Sequence, residues 1–549
     1  MKEYLNQIIS NTIKKLQYPG VTIQIDIPKS AKNGDFSTNI AFLLSKELKL
    51  PPKKIAEEIV NKIEYNKDYI IKIEIAGNGF INFFASDKFF INGLISILKE
   101  KSNFGKSYLN KGKTANIEWV SANPTKPLHA GHGRQICLGK AIANMLEWIG
   151  YKVVREYYYN DAGMQMTLLA KSVKARYEQL FDSEYPFPED GYQGNYIIEI
   201  AKNIYNKYGD KYRNSDDLEF FKKEGEKYNF TSIKNTLEKI GIRHDIFFNE
   251  SDLYKNGSID KIIREFEVRN LSYKKDGAIW LKLSEKLKQD KVIVKSTGEY
   301  TYRLPDMAYH IDKLQRNYDL IIDIFGADHS DTYKEVLSGI ELLGYDTSKI
   351  KVIIHQMVTF KSGNKSLKMS GRYGTFYSLD DLINDIGIDA TQFFFIMRSS
   401  NSHLDFDIEL AKEQSDKNPV YYLQYAHARI CGILRHSREV FPDFEKSNFS
   451  DVNFDLLKTA DEINLIKELT KFPYEVLSSC IDFEPHRIIS YLNSLAECFH
   501  RFYRNNRVLD ISNTSLMLAR LYLCLAVKQV LKNGFDIIGI SAPERMEKE

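Results

Sequence analysis

The stretch Ser121-Ala-Asn-Pro-Thr-Lys-Pro-Leu-His-Ala-Gly-His132 constrains this chain more than any other. A strand-like run, Asn116 to Val120, precedes it. A helix-like run, Gly133 to Ile149, follows, with Leu138, Ile142, Met145 and Ile149 at the spacing of one buried helix face. Gly150 reads as the helix stop and Lys152 to Tyr159 as a second strand. Strand, loop, helix and strand in this order form a βαβ unit, which puts His129 and His132 where a helix N-terminus meets the carboxyl end of a parallel strand. Open α/β sheets bind nucleotides at that place. Exposed backbone N–H groups and the helix dipole attract phosphate there, and Gly131 lets a ligand approach the main chain.

The rest of the chain falls into place around this unit. The expected fold class is α/β: a Rossmann-like catalytic domain with a parallel sheet at 111–385, carrying an insertion at about 163–290. It is flanked by an α+β N-terminal domain at 1–110 and an all-α C-terminal helical bundle at 386–549. Alternating Ile71, Ile73 and Ile75, then Gly79-Phe-Ile-Asn-Phe83, predict strands closing the N-terminal domain. Runs 320–325 and 352–354 predict further strands of the catalytic sheet. Beyond about residue 386, long amphipathic stretches with few Gly or Pro predict helices. A hydrophobic fraction of 43% and a charged fraction of 27% are those of a globular chain. No unbroken apolar run of about 18 residues predicts a membrane span, and Met1 to Asn6 lacks an apolar signal core, so cytoplasm is the default location. Cys137, Cys431, Cys480, Cys498 and Cys524 lie too far apart in sequence for a zinc or disulfide motif. A net charge of +3 decides nothing about nucleic acid by itself.

Three short motifs join into one reading: His129-Ala-Gly-His132, Gly326-Ala-Asp-His329 after a hydrophobic strand, and Lys368-Met-Ser370 on a Gly/Ser-containing loop. In this order they resemble the signatures of class I aminoacyl-tRNA synthetases. The longer segments Glu118 to Arg134, Tyr302-Arg-Leu-Pro-Asp306, Asn418 to Arg429 and Ser541 to Met546 resemble the arginyl-tRNA synthetases in particular. Gly34 to Asn39 and Gly79 to Asn82 fit that family's additional N-terminal domain. The resemblance spans essentially the whole chain and is thinnest over 165–290.

The resemblance implies activation of L-arginine by ATP, with Mg²⁺ accompanying the nucleotide, and transfer of the arginyl group to the 3′ end of tRNA-Arg. It also implies that tRNA is needed for activation and that the enzyme is a monomer. The chemistry needs positioned reactants and charge stabilisation on a crowded phosphate. On this reading His129, Gly131, His132, Gly326, Asp328, His329, Lys368, Met369 and Ser370 bind ATP, and His129, His132, Lys368, Ser370 and Lys126 act in catalysis. Where the family's loop often has a second lysine, this chain has Gly371-Arg372, and either Lys126 or Arg372 supplies the missing charge. Ser330 stands where another histidine is common, so position 330 has no expected role. Glu118 and Asp306 are the expected guanidinium carboxylates, since a planar fork suits bidentate pairing. Tyr302 would pack on the arginine side chain, and Asn123 would hold its α-amino or carboxylate group. Phe80 and Asn82 would meet the D-loop corner of tRNA. Tyr421, Tyr422, Tyr425, His427 and Arg429, and the cluster from His500 to Arg507 with Arg501 and Arg504, mix rings and cations as single-stranded RNA requires. The rivals are another class I synthetase and a paralogue that binds tRNA without catalysis.

Overall fold

The computed structural model describes residues 1–549 except Lys29, Ala162, Asn364, residues 368–376, Asp443, Glu445, Lys446 and residues 547–549. The chain divides into two compact units. One comprises Met1–Phe104, Ile430–Phe472 and Ser494–Val530; the other comprises Gly105–Arg429, Pro473–Asn493 and Leu531–Glu549.

In the first unit, strands β1 (Phe36–Thr38), β2 (Ile70–Ala76) and β3 (Phe80–Ala85) form an antiparallel sheet in the order β1-β3-β2. Helices Lys2–Lys15, Ile40–Leu48 and Pro52–Lys62 bury Leu5, Ile9, Leu44, Ile55 and Ile59 with Ile81 and Phe83 of the sheet. The period-2 pattern read in the sequence groups Ile71 with Ile73 and Ile75; the structure packs Ile73 and Ile75 against the core but buries Ile70 and exposes Ile71, across a register shift between Ile70 and Lys72. The N-terminal segment is not a free-standing module. Lys467 pairs with Asp35 at 2.6 Å, and the Phe472 ring stacks on Phe104 with centroids 6.1 Å apart, so helical chain from the C-terminal half completes the same unit.

In the second unit, β4 (Thr114–Glu118), β5 (Lys152–Tyr159) and β6 (Ile246–Asn249) are followed by an antiparallel trio, β7 (Ser272–Lys275), β8 (Ala278–Leu281) and β9 (Lys291–Val294). Then come β10 (Leu320–Gly326), β11 (Ile350–His355), and a small sheet of β12 (Val358–Ser362), β13 (Lys365–Leu367) and β14 (Leu404–Asp407). The main sheet has the order β11-β10-β4-β5-β6 with every pairing parallel. The chain leaves β4 towards β5 and later returns to β10 on the opposite side, so a crevice opens at the carboxyl ends of β4 and β10. The helix Gly133–Trp148 crosses behind it and is buried along most of its length. Gly139 is needed for this packing: a Cβ there would lie 2.3 Å from the Trp119 ring.

Two expected boundaries move. The stretch 163–290 is not a pure insertion, because β6 within it is the edge strand of the main sheet. The helical region does not begin at 386. Helix Ile388–Ile396 packs on Gly133–Trp148, with Gln392 Nε2 donating to Cys137 O at 2.9 Å, and β14 pairs with β12. Helices Pro419–Val440, Ala460–Asp482, Pro485–Asn505 and Thr514–Ile538 follow. The last of these lies in a segment (Ile511–Ile538) long and apolar enough to cross a membrane by length and composition, but its most apolar window is 61% buried inside the protein, as for a core helix.

Candidate active site

At the carboxyl end of β4 the chain turns through Val120 and Ser121, both at positive φ, into a loop that ends in the single turn Ala130–His132 and the helix Gly133–Trp148. The two histidine rings stack with centroids 3.7 Å apart. Gly131 is what lets them: a Cβ there would sit 2.7 Å from the His129 ring. The His129 backbone N–H donates to His132 Nδ1 at 3.3 Å, so the His132 ring proton resides on Nε2, free to donate outward. Burial, with help from Lys126, pushes His129 down to about 4. Burial, then His129, Lys126 and His355, pushes His132 further below the usual imidazole range. Both rings are therefore neutral hydrogen-bonding groups at physiological pH, and the positive charge beside them belongs to Lys126.

Lys368, Met369, Ser370 and Arg372 lie outside the described residues. The described chain on their C-terminal side is fixed to the histidine turn: Ala130 N–H donates to Tyr377 O at 3.0 Å, and Leu379 N–H to Leu128 O at 2.9 Å.

One cavity of about 890 Å³ spans the crevice. At one end it is lined by His129, Gly131, His132, Gly326, Asp328 and His329, and at the other by Glu118, Asn123, Tyr302 and Asp306. The cavity thus gathers the expected nucleotide and arginine residues from β4, β10 and the helix Arg303–Gln315, while Lys126 reaches the histidines electrostatically. Asn123 Nδ2 donates to Gln165 at 2.8 Å. Tyr302, 49% exposed, stands at the start of the helix with Arg303 over its ring at 4.6 Å.

The two expected carboxylates differ in state. Both oxygens of Glu118 are occupied: Oε2 accepts from Lys313 Nζ at 2.9 Å and Oε1 from Ser121 Oγ at 2.9 Å. Burial pushes this carboxyl up against the pull of Lys313. Asp306 is half-buried, and among the described residues nothing donates to its carboxylate. Burial, then Glu118 and Glu250, raises it to about 7 despite nearby His310 and Lys313. A cation entering the cavity finds its open partner in Asp306, with Glu118 already neutralised.

Sequence reasoning missed Glu250, His310 and Lys313. Glu250 lines the cavity at the start of the helix Glu250–Lys255, receives Tyr254 Oη at 3.3 Å and is raised mainly by burial. It arrives there through the parallel pairing of β5 with β6, which nothing local announces. His310 and Lys313 follow Asp306 by four and seven residues, on the helix face that turns inward; polar residues at that spacing on one face were the available signal.

The expected tRNA residues sort by exposure. Asn82 is 3% exposed and accepts Ser37 Oγ at 2.7 Å across β1 and β3, so its side chain braces the sheet. Phe80, 46% exposed, packs against Phe42 and keeps a free face. His427 is buried with Nδ1 2.9 Å from Pro543 O. Tyr421, Tyr425 and Arg429 form a half-buried ladder along one helix face, the rings 6.1 Å apart and Arg429 4.7 Å over Tyr425. Arg501 and Arg504 are exposed, with Tyr503 between them.

Comparison with known proteins agrees with this geometry. Residues 3–85 match the family described as arginyl tRNA synthetase N terminal domain, 93–401 the tRNA synthetases class I (R), catalytic domain, and 423–546 the DALR anticodon binding domain. The chain is 47% identical over 533 residues to the arginine–tRNA ligase of Chlorobaculum parvum, covering 95% of this chain and 96% of that one. It is 45% identical over 558 residues to the arginine–tRNA ligase of Pelodictyon phaeoclathratiforme, covering all of both. The fold is similar to the arginyl-tRNA synthetase of Thermus thermophilus, with a TM-score of 0.77, 21% identity and full coverage of each chain. The parallel sheet, the paired histidines at its switch point, and relatives of this identity over the full length agree: the chain belongs to the arginyl-tRNA synthetase family.

Proposed function

We propose that the arginine–tRNA ligase activity of this family runs in the cavity between the histidine turn and Asp306. ATP lies along the turn with its phosphates at the helix N-terminus, and arginine points its guanidinium at Asp306. The observation that carries this reading is the continuity of one cavity from neutral imidazole donors to an unpaired carboxylate. The arginine carboxylate attacks the α-phosphorus, a P–O bond forms, and the bond to the bridging oxygen of pyrophosphate breaks; no proton need move. His129 and His132 donate to phosphate oxygens without adding charge, while Lys126 and the lysine of the 368–370 motif offset the charge on the leaving group. Magnesium would arrive on the ATP phosphates, where it neutralises charge. A resident hard-cation site wants several converging oxygens, and among the described residues no group of three or more His, Cys, Asp or Glu could hold an ion. In the second step a 3′-terminal hydroxyl of tRNA attacks the arginyl carbonyl, and AMP leaves.

Exposed Phe80, the Tyr421–Tyr425–Arg429 ladder and exposed Arg501 and Arg504 support a reading in which both units touch tRNA. ATP–pyrophosphate exchange with each of the twenty amino acids, with and without tRNA, tests the whole reading. Exchange with arginine alone, and only with tRNA present, is expected. Exchange with a different amino acid, or none while tRNA still binds, would overturn it.

A further inference from the structure

His310 sits one turn after Asp306 on the helix Arg303–Gln315 and is only 5% exposed. Its Nδ1 is 2.7 Å from Asp306 O, and its Nε2 is 3.1 Å from Asp323 Oδ2. A carbonyl and an ionised carboxylate can only accept, so each ring nitrogen faces an acceptor, the arrangement that suits a ring donating from both. Asp323, at the centre of β10, is itself held ionised by Lys313 and His310, which outweigh its burial. Lys313, fully buried, divides its ammonium between Asp323 and Glu118. His310 and Lys313 thus face the carboxylates of Asp323 and Glu118 at the cavity wall, which Glu118 and His310 themselves line, and among the described residues nothing donates to the Asp306 carboxylate.

We propose that His310 is a positioning residue for arginine: its imidazolium, clamped between Asp306 O and Asp323, fixes the first turn of this helix and keeps the Asp306 carboxylate ionised to receive the guanidinium. The proposal rests on the reading of Asp306 as the guanidinium partner. The charged and titratable groups facing Asp306 are Glu118 on β4, Tyr158 on β5, Glu250 and Tyr254 on the helix after β6, Tyr302 at its own helix start, and His310 and Lys313 on its own helix. Of these, Glu118 and Glu250 disfavour its charge. Lys313 is shared between two other carboxylates. His310 is the cation nearest in sequence and the strongest of those favouring the charge. An opposite charge within about 4–6 Å of a carboxylate favours its ionised form by one unit or more.

The test is the pH profile of kcat/KM for arginine in tRNA-dependent pyrophosphate exchange, for the full chain and its His310→Gln variant. The acidic limb should move up by about one pH unit, giving about a tenfold loss near pH 6.5 that fades by pH 9, with KM for ATP unchanged. A limb that stays in place, or a loss equal at every pH, overturns the proposal. Should His310→Gln fail to fold, Asp323→Asn removes the anion that holds the ring charged and should move the limb the same way; an unmoved limb there counts equally against it. Asp306→Asn separates the two levels. If it retains wild-type kcat/KM for arginine, the guanidinium reading falls. If it loses activity while neither other variant moves the limb, only the role of His310 falls.

Discussion

Replacing Asp306 by Asn changes one oxygen to an amide and keeps the shape. Asp306 carries the open carboxylate of the cavity, while Glu118 is bonded to Lys313 and Ser121 and Glu250 to Tyr254. The guanidinium would lose its ionic partner and gain nothing. Removing one member of a buried charged pair costs about 2–5 kcal/mol. Because Glu118 and Glu250 still lend negative potential, the lower half of that range applies, a fall of roughly 30- to 300-fold in kcat/KM for arginine, with KM for ATP unaffected. Stability should move the other way. The folded carboxyl titrates at about 7 against an ordinary 3.8. A raised acid pKa means that the folded state resists ionisation, so the cost of holding Asp306 is absent below about pH 4, grows between pH 4 and 7, and is full above 7. Three units correspond to an upper limit of about 4 kcal/mol, reduced by relaxation around a half-buried group. The Asn variant should therefore melt higher than wild type at pH 8 and alike at pH 4. Pyrophosphate exchange against arginine concentration and thermal melts at both pH values check both halves. A less than threefold change in kcat/KM, or a lower melting temperature at pH 8, would refute the reasoning.

Lys126→Ala should lower the rate of pyrophosphate exchange by about 10- to 100-fold at unchanged KM for arginine, because the histidines beside it are neutral and add no charge; an unchanged rate passes that role to Arg372. Gly131→Ala places a methyl 2.7 Å from the His129 ring and should weaken ATP binding without unfolding the chain, measurable by KM for ATP and circular dichroism. Asn82→Ala should destabilise the first unit by about 1–2 kcal/mol in denaturant melts, since it leaves the Ser37 hydroxyl unpaired, whereas Phe80→Ala should raise KM for tRNA with little loss of stability. Arg501→Ala with Arg504→Ala should reduce the salt dependence of tRNA binding by a log–log slope of about 1–2 in filter binding; an unchanged slope removes both from the interface.

The βαβ unit, the histidine turn and the nucleotide end of the cavity were legible in the sequence because they are local: a strand, a glycine-bearing loop and a helix stop are contiguous, and hydrophobic spacing reports each one. Tyr302 and Asp306 were legible by resemblance and are neighbours on one helix. The burial of Asn82 and His427 was not legible because residue type does not report exposure; a polar side chain on a strand or helix points to solvent or to a buried partner according to packing elsewhere. Domain limits at 110 and 385 rest on composition, which does not report that helices of the C-terminal half complete the first unit or that Ile388–Ile396 packs on Gly133–Trp148.

The sequence by itself determined the family, the chemistry-bearing motifs and the parallel sheet that presents them, all encoded in short spacings. Tertiary structure alone decided which carboxylate is open. Glu118, Asp306, Glu250 and Asp323 are chemically alike in the chain, and only the fold delivers Lys313, His310 and Ser121 to two of them, Tyr254 to a third, and, among the described residues, no donor to the carboxylate of Asp306. Charge pairing over long sequence separations depends on strand order and helix placement, and no local pattern carries it.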